Sequence, residues 1–471
     1  MLTAPRAHAY DFELQSRSEA QGYQLRRYER DGVSFVNRLR FAQYLGLRVY
    51  NLIDADAARA RRRGRPPALV FVHAQLRFQT DFGGFAPDIA AGEPAARELH
   101  DNRFELLLGA VEARNLLGWI DLSLGRQLDT ELFDFFAYDG LRVRVSTPWW
   151  LYVESSLGAQ VRRADPFGLA VFQLDGTSGD GTSGDGADER AWMPTFGLAL
   201  GLDERAPLEL RLAYRGVASR APPTPFGRAE ALPARWGLDE ELVFAHAALT
   251  HPRWDSRLAA GLRCNLLVAQ LDELQLEATQ GLGPRHQASL ELLQSRPHFD
   301  GDSIFNVFAI EPFSEAAGRL RWRPGVPLDL EARAGYRWVW RAADERERVS
   351  PGALSLTALA RWQAERLAST LELYYLDGYG GLRLGADLFG RWWSPRWVFG
   401  RRLALEGRAS LARLDGLASA AAPVTNFGLQ AGLRVRLLPA VWAQLLVEDN
   451  VSRLQDSALR VLGVLDMSFA P

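Results

Sequence analysis

Apolar and polar residues alternate along most of this chain. The cleanest stretch is LDLEARAGYRWVWR, residues 328–341. Leu328, Leu330, Ala332, Ala334, Tyr336, Trp338 and Trp340 share one parity, and Asp329, Glu331, Arg333, Arg337 and Arg341 share the other. A period of two means a β-strand with one apolar and one charged face. Similar segments recur at 33–50, 69–80, 104–113, 118–126, 141–146, 149–161, 196–202, 208–217, 242–249, 258–268 and 274–278. They continue at 288–293, 318–322, 328–340, 354–362, 367–375, 382–388, 403–411, 427–437, 441–447 and 459–469. No long helical pattern interrupts them. Many have about 10 residues, the length a tilted strand needs to cross a bilayer.

The connections between these segments alternate in length. Tight links are expected after Ala113, at 147–148, 203–206, 251–255, 324–327 and 363–366. Long ones are expected at 127–139, 164–193, 218–239, 296–313, 342–351, 415–425 and 449–457. Sorting of this kind belongs to an up-and-down barrel with periplasmic turns on one side and extracellular loops on the other. Counted from Val33, the long loops follow even-numbered strands, 51–68 being the exception. The strand at Val33 must then run downward, so another must precede it. YDFELQ at 10–15 supplies that strand, with Tyr10, Phe12 and Leu14 on one face. The expected fold is all-β: a single antiparallel up-and-down transmembrane barrel of about 22 strands, with 18 or 20 open because 271–294 is weakly patterned.

Composition adds constraints. Hydrophobic residues make up 47% of 471, and no run of 18 apolar residues exists, so transmembrane helices are excluded while a membrane barrel is not. There is no lysine, and all 55 basic residues are arginine. Every side-chain cation is therefore a permanently charged fork suited to carboxylate, sulfate or phosphate. A net charge of −2 gives no bulk field for nucleic acid. The lone Cys264 shares an apolar parity with Leu262 and Leu266 and has no partner for an internal disulfide. Ala7-His8-Ala9 matches a signal-peptidase cleavage pattern without room upstream for the rest of a signal. Residues 1–9 are accordingly expected to be a residual cleavage segment, and 10–471 the barrel. So short a lead leaves no room for a plug domain.

With the apolar parity toward lipid, the other parity faces a watery lumen. This assigns Arg38, Arg40, Arg48, Arg142, Arg144, Glu154, Arg211, Arg263, Glu331, Arg333, Arg337, Arg408, Arg434 and Arg436 to the pore lining. Asp329 joins them, and arginine–acid ladders that stiffen the wall are an equal alternative to an anion-attracting surface. Tyr336, Trp338 and Trp340 fall where an aromatic girdle belongs, and Trp149, Trp392, Trp393, Trp397 and Trp442 near strand ends are expected to be interfacial anchors.

At GWIDLSLGRQLDTELFDFFAYDGLRVRV, residues 118–145, the sequence resembles Gram-negative outer-membrane channel barrels. Leu124, Gly125, Arg126 and Gln127, followed by Asp139 and Gly140, locally resemble the alginate-export and porin-like families. The ending LDMSFAP is similar to the terminal-phenylalanine signal of such barrels, with Phe469 two residues short of the end. The resemblance implies passive passage of hydrophilic solutes, anionic ones among them, in the bacterial outer membrane, with outer-membrane lipid and lipopolysaccharide as neighbours.

Other motifs have plainer readings. The tandem GTSGDGTSGDG at 176–186 reads as an extracellular loop, with a fold into the pore as the alternative. Five arginines in 58–67 fall on the periplasmic side, as a solvated turn or a contact for anionic lipid. Seven histidines show no compact metal spacing, so no metal, cofactor or catalytic residue is assigned. His73, His246 and His286 are where a barrel-embedded hydrolase would be sought. The leading expectation is a diffusion channel, with a loop-closed structural or binding barrel and a hydrolase as alternatives; oligomeric state is undetermined.

Overall fold

The computed structural model describes residues 11–29, 32–50, 52, 68–81, 103–131, 134–161, 193–202, 206, 208–219, 236–296, 312–340, 352–378, 381–395, 402–415, 423–452 and 457–469. Among them every regular element is a strand. The first eight are β1 (Asp11–Glu29), β2 (Gly32–Tyr50), β3 (Leu69–Asp81), β4 (Arg103–Leu116), β5 (Ile120–Glu131), β6 (Asp134–Ser146), β7 (Leu151–Gln160) and β8 (Pro194–Leu202). The next seven are β9 (Leu208–Ser219), β10 (Gly237–His251), β11 (Ser256–Asn265), β12 (Gln270–Gly281), β13 (His286–Ser295), β14 (Phe313–Gly325) and β15 (Leu328–Val339). The last seven are β16 (Gly352–Gln363), β17 (Leu367–Gly378), β18 (Gly381–Trp393), β19 (Leu403–Asp415), β20 (Val424–Leu438), β21 (Val441–Ser452) and β22 (Arg460–Phe469).

Each strand pairs antiparallel with the next, and β22 pairs back onto β1, from Leu14↔Phe469 to Tyr23↔Arg460. The 22-stranded sheet is therefore closed, and among the described residues only the upper hairpin ends leave a strand edge unpaired. Every alternating segment read from the sequence, including the one beginning at Tyr10, corresponds to one strand, and the weakly patterned 271–294 holds β12 and β13. A round barrel of this strand number would span roughly 40–45 Å between opposite backbones at a strand spacing near 4.8 Å and a tilt near 40°.

The two faces of the wall separate by chemistry. One parity carries Leu14, Leu45, Leu47, Leu122, Leu124, Leu200, Leu212, Leu258, Leu276, Leu290, Leu356, Leu373, Leu388, Leu411, Leu429 and Leu445, and cross-strand pairs such as Leu14↔Leu47, Leu276↔Leu292 and Leu405↔Leu433 keep them in one belt. Such a belt is stable only against lipid. The opposite parity carries the arginines and carboxylates. It is the concave side, because Arg211 on β9 touches Glu131 on β5, four strands away.

The two rims differ too. Links of two residues occur at both, 326–327 and 439–440 at the lower rim and 30–31 and 379–380 at the upper, so the difference lies in the tryptophans. Trp119, Trp149, Trp150, Trp254, Trp322, Trp362 and Trp392 ring the lower end with exposed or half-exposed indoles, as an interfacial girdle does. Tyr336, Trp338 and Trp340 lie at the upper end of β15, and Trp340 donates from Nε1 to Ser314 Oγ at 3.0 Å. Two expected anchors face the other way. Trp442 pairs with Arg436, and Trp393 with Ala404, on the inner parity. Their rings meet edge to face at 6.1 Å, with the Arg434 guanidinium 4.7 Å from the Trp442 ring. A position near a strand end does not set the face; parity does. Trp397, residues 1–10, the basic stretch 59–65 and the tandem repeat 176–186 lie outside the described residues.

Candidate functional site: a ribbon folded into the barrel

The connection expected to be a long loop at 127–139 is instead an extended two-stranded ribbon. β5 and β6 continue to pair through Leu128↔Ala137 and Thr130↔Phe135 to Glu131↔Asp134, leaving only 132–133 between them. Acidic residues at 129, 131, 134 and 139 are poor strand formers, which is why the stretch reads as loop in one dimension. Above Arg126, β5 no longer pairs with β4, and above Ala137, β6 no longer pairs with β7. The ribbon is free of the wall from there upward.

It turns inward. Arg211 is level with Gly201, Tyr152 and Ser146, and Ser146 bonds Trp119, the residue just before β5. Glu131 lies roughly a dozen residues above Trp119, about 40 Å along an extended strand. Yet Arg211 Nε donates to Glu131 Oε1 at 2.6 Å. Only a ribbon folded back over β7–β9 brings these groups together. The fold line is a row of glycines, Gly125↔Gly140 and Gly140↔Gly158. Gly125 has a φ of +124°, a conformation open to glycine, and a Cβ on Gly140 would collide with the Leu157 carbonyl. The bend also lets Gln127 Nε2 donate to the Ser123 carbonyl at 3.2 Å, four residues back, a reach that an extended strand does not permit.

The wall beneath the ribbon is cut to receive it. Inward positions on β8 are Thr195, Gly197, Ala199 and Gly201, all small. Phe136 and Tyr138 pack there with Met193 and Val217 as a buried cluster. Arg215 lies over the Phe136 ring at 4.1 Å and donates to Glu240 at 2.8 Å. Arg211 is the centre of the polar contact: besides Glu131 it reaches Glu154 Oε1 and Tyr152 Oη, each at 3.0 Å. A cavity of about 20 Å³ remains between ribbon and wall, room for about one water. The ribbon's other face, with Leu128, Phe135 and an Arg126–Asp139 bidentate pair, is turned away from this wall, and the Phe135 side chain is 75% exposed.

The residues singled out in the sequence fall around this inner face. Arg333 and Arg337 share Glu315 at 2.6 and 2.7 Å. Glu331 lies 3.5 Å from Arg319, and Arg321 donates to Asp329 at 2.9 Å. Arg408 forms a bidentate pair with Asp387, both bonds 2.7 Å. Arg263 approaches Asp272 and Glu273 at 3.9 and 3.7 Å, Arg48 is 3.6 Å from Glu13, and Arg40 donates to Gln79 at 2.5 Å. Arg38 is paired in register with Tyr23, its side chain outside the description. Arg144 is flanked in register by Asp121 and Glu154, and Arg142 interacts electrostatically with Asp129 of the ribbon, whereas Arg434 and Arg436 lie against an aromatic ring. Arg144 lies 3.7 Å over the Tyr152 ring, and Arg434 and Arg436 lie 4.7 and 5.6 Å over Trp442. The thirteen with described side chains thus do not form one cluster but are spread over the inner face at several heights.

The sequence reading missed the ribbon residues Asp129, Glu131, Phe136 and Tyr138. Alternation continuing through Gln127, Leu128, Asp129, Thr130, Glu131 and Leu132 was the available signal, although the aromatics that follow fall on both parities. The three histidines do not converge. His73 lies 3.4 Å from Glu112 inside, His246 pairs with Arg211 and Gly261 on another wall, and His286 stacks on Trp322 on the outer face. Among the described residues no group of three side chains is arranged to hold a metal.

No family profile and no curated protein matches the chain. Among solved structures it is similar to OccAB4 of Acinetobacter baumannii, at 8% identity over 98% of each chain with a TM-score of 0.43. It is also similar to OccK7 (OpdD) of Pseudomonas aeruginosa, at 9% identity over 98% of this chain and 99% of that one with a TM-score of 0.44. OpdL of the same organism matches at 10% identity over 98% and 99%, with a TM-score of 0.42.

Proposed function

We propose that the protein is a channel of the bacterial outer membrane through which small hydrophilic solutes diffuse passively, narrowed by the β5–β6 ribbon. The observation that carries this reading is the closed wall with an apolar outer belt, a charged inner face and a strand ribbon folded inside. Lipid and, around the upper rim, lipopolysaccharide are its neighbours. No chemical step is assigned to it; its activity is transport.

Passage through such a wall depends on the free radius and on the charges that replace lost hydration. Arg38, Arg40, Arg48, Arg142, Arg144, Arg211, Arg263, Arg333, Arg337, Arg408, Arg434 and Arg436, with Glu154 and Glu331, line the route. They do so in two ways. Paired arginines such as Arg333 and Arg408 are neutralised locally and stiffen the wall. Arg434 and Arg436, whose described contacts include the Trp442 ring, lower the energy of an anion beside them. The channel is therefore expected to favour anions modestly.

Single-channel recording of refolded protein in a planar bilayer under a salt gradient tests this. The expected result is discrete conductance with a reversal potential displaced toward the anion, reduced when Arg434 and Arg436 become glutamine. Folded, inserted protein that never conducts would refute the channel and leave a barrel closed by its loops.

A further inference from the structure

We propose that Arg211 is the positioning residue that sets the size limit of this channel, by holding the β5–β6 ribbon down on the inner wall. The inference rests on the channel reading above. Three observations on different strands support it. The ribbon leaves its wall neighbours above Arg126 and Ala137, so no backbone ladder with β4 or β7 fixes its angle beyond those rungs. Its base is a fold line of glycines at 125, 140 and 158, which opposes rotation less than side chains would. Its underside is then fastened by side chains, and Arg211 makes the most connected of these contacts.

The fastening has a particular logic. Glu131 comes from the ribbon, whereas Glu154 and Tyr152 come from β7 and Arg211 from β9. One guanidinium thus joins the ribbon to two wall strands, with Nε and Nη2 toward Glu131, Nη2 also on Glu154 and Nη1 on Tyr152. The Glu131 and Glu154 side chains are only 10% and 12% exposed, so water cannot take over Arg211's role without the ribbon lifting. Arg215 supports the same ribbon, lying over the Phe136 ring, pairing with Glu240 of β10 and interacting electrostatically with Asp129 of the ribbon, so Arg211 is the larger of two fastenings rather than a lone one. Loss of Arg211 places two carboxylates from ribbon and wall against each other. The ribbon then moves away from β7–β9 about the glycine line, and the cross-section changes.

The test uses the full refolded chain as wild type, Arg211→Ala, Glu131→Gln, and the exchange Arg211→Glu with Glu131→Arg. Glu131→Gln is nearly isosteric, removes only the ribbon's charge and provides the answer should Arg211→Ala fail to fold. Single-channel conductance and liposome swelling with neutral sugars of graded size are read together. The expected result is a conductance altered by roughly twofold with a raised sugar size limit in both single variants. Restoration toward wild type is expected in the exchange, which returns a cation between two carboxylates. A merely structural role would lower the melting temperature while leaving conductance and size limit as in wild type, and that result would overturn the inference. Wild-type protein that never conducts would instead overturn the channel reading itself.

Discussion

Two arginine–carboxylate clusters on the inner face are built from the same residues and do different things. Along β13–β16, Arg319 meets Glu291 at 2.8 Å, and Arg333 and Arg337 share Glu315. Each of these bonds joins strands that are already neighbours in the ladder. They repeat what the backbone hydrogen bonds do, with half-open side chains; that of Arg337 is 43% exposed. The Arg211 cluster joins β9 to the tip of a ribbon that begins four strands away, and nothing in the ladder duplicates it. Charge pairing along a wall stiffens it slightly. Charge pairing across a concave wall decides what occupies the interior.

That contrast can be broken most sharply at Arg211. Replacing it with alanine should cost about 3–5 kcal/mol in denaturant unfolding, because two buried carboxylates lose their cation. An effect below 1 kcal/mol would mean the ribbon is held otherwise. Next in size is a check that both clusters lie inside. Leu356→Arg, on the belt, should destabilise by about 2–4 kcal/mol in lipid, while Thr357→Arg, one residue on and facing in, should cost little. Equal costs would contradict the face assignment for both regions. Gly140→Ala should cost about 1–3 kcal/mol through the collision at the fold line, read as lower yield of heat-modifiable folded barrel. Smallest is Arg337→Gln. Its exposed half is screened by solvent and Glu315 keeps Arg333, so a loss under about 1 kcal/mol is expected.

The wall was legible from one dimension because a strand between lipid and water writes its two faces into alternate residues. This held even for β12 and β13, where short runs such as Leu274, Leu276 and Ala278 carry the pattern. Loop length was a weaker guide: the links at 30–31, 132–133, 266–269 and 379–380 are short on the side expected to carry long loops, and 51–68 is long on the other. What alternation does not contain is curvature. The stretch at 127–132 alternates, but the acidic residues there and beyond suit a loop equally well, and nothing in the string says that it folds back on Arg211. The glycines at 125 and 140 stood out in a local resemblance, yet their role depends on Gly158, brought beside them only by the register. Trp393 and Trp442 were misassigned for a related reason: closeness to a strand end was weighed over parity.

The most direct test of the whole account is the conductance of a chain in which residues 127–138 are replaced by a short turn, set beside the wild type. Removing the ribbon should leave a folded barrel that conducts at least about twice as well. Equal conductance would show that the ribbon does not narrow the passage, and the account of its interior would have to be abandoned.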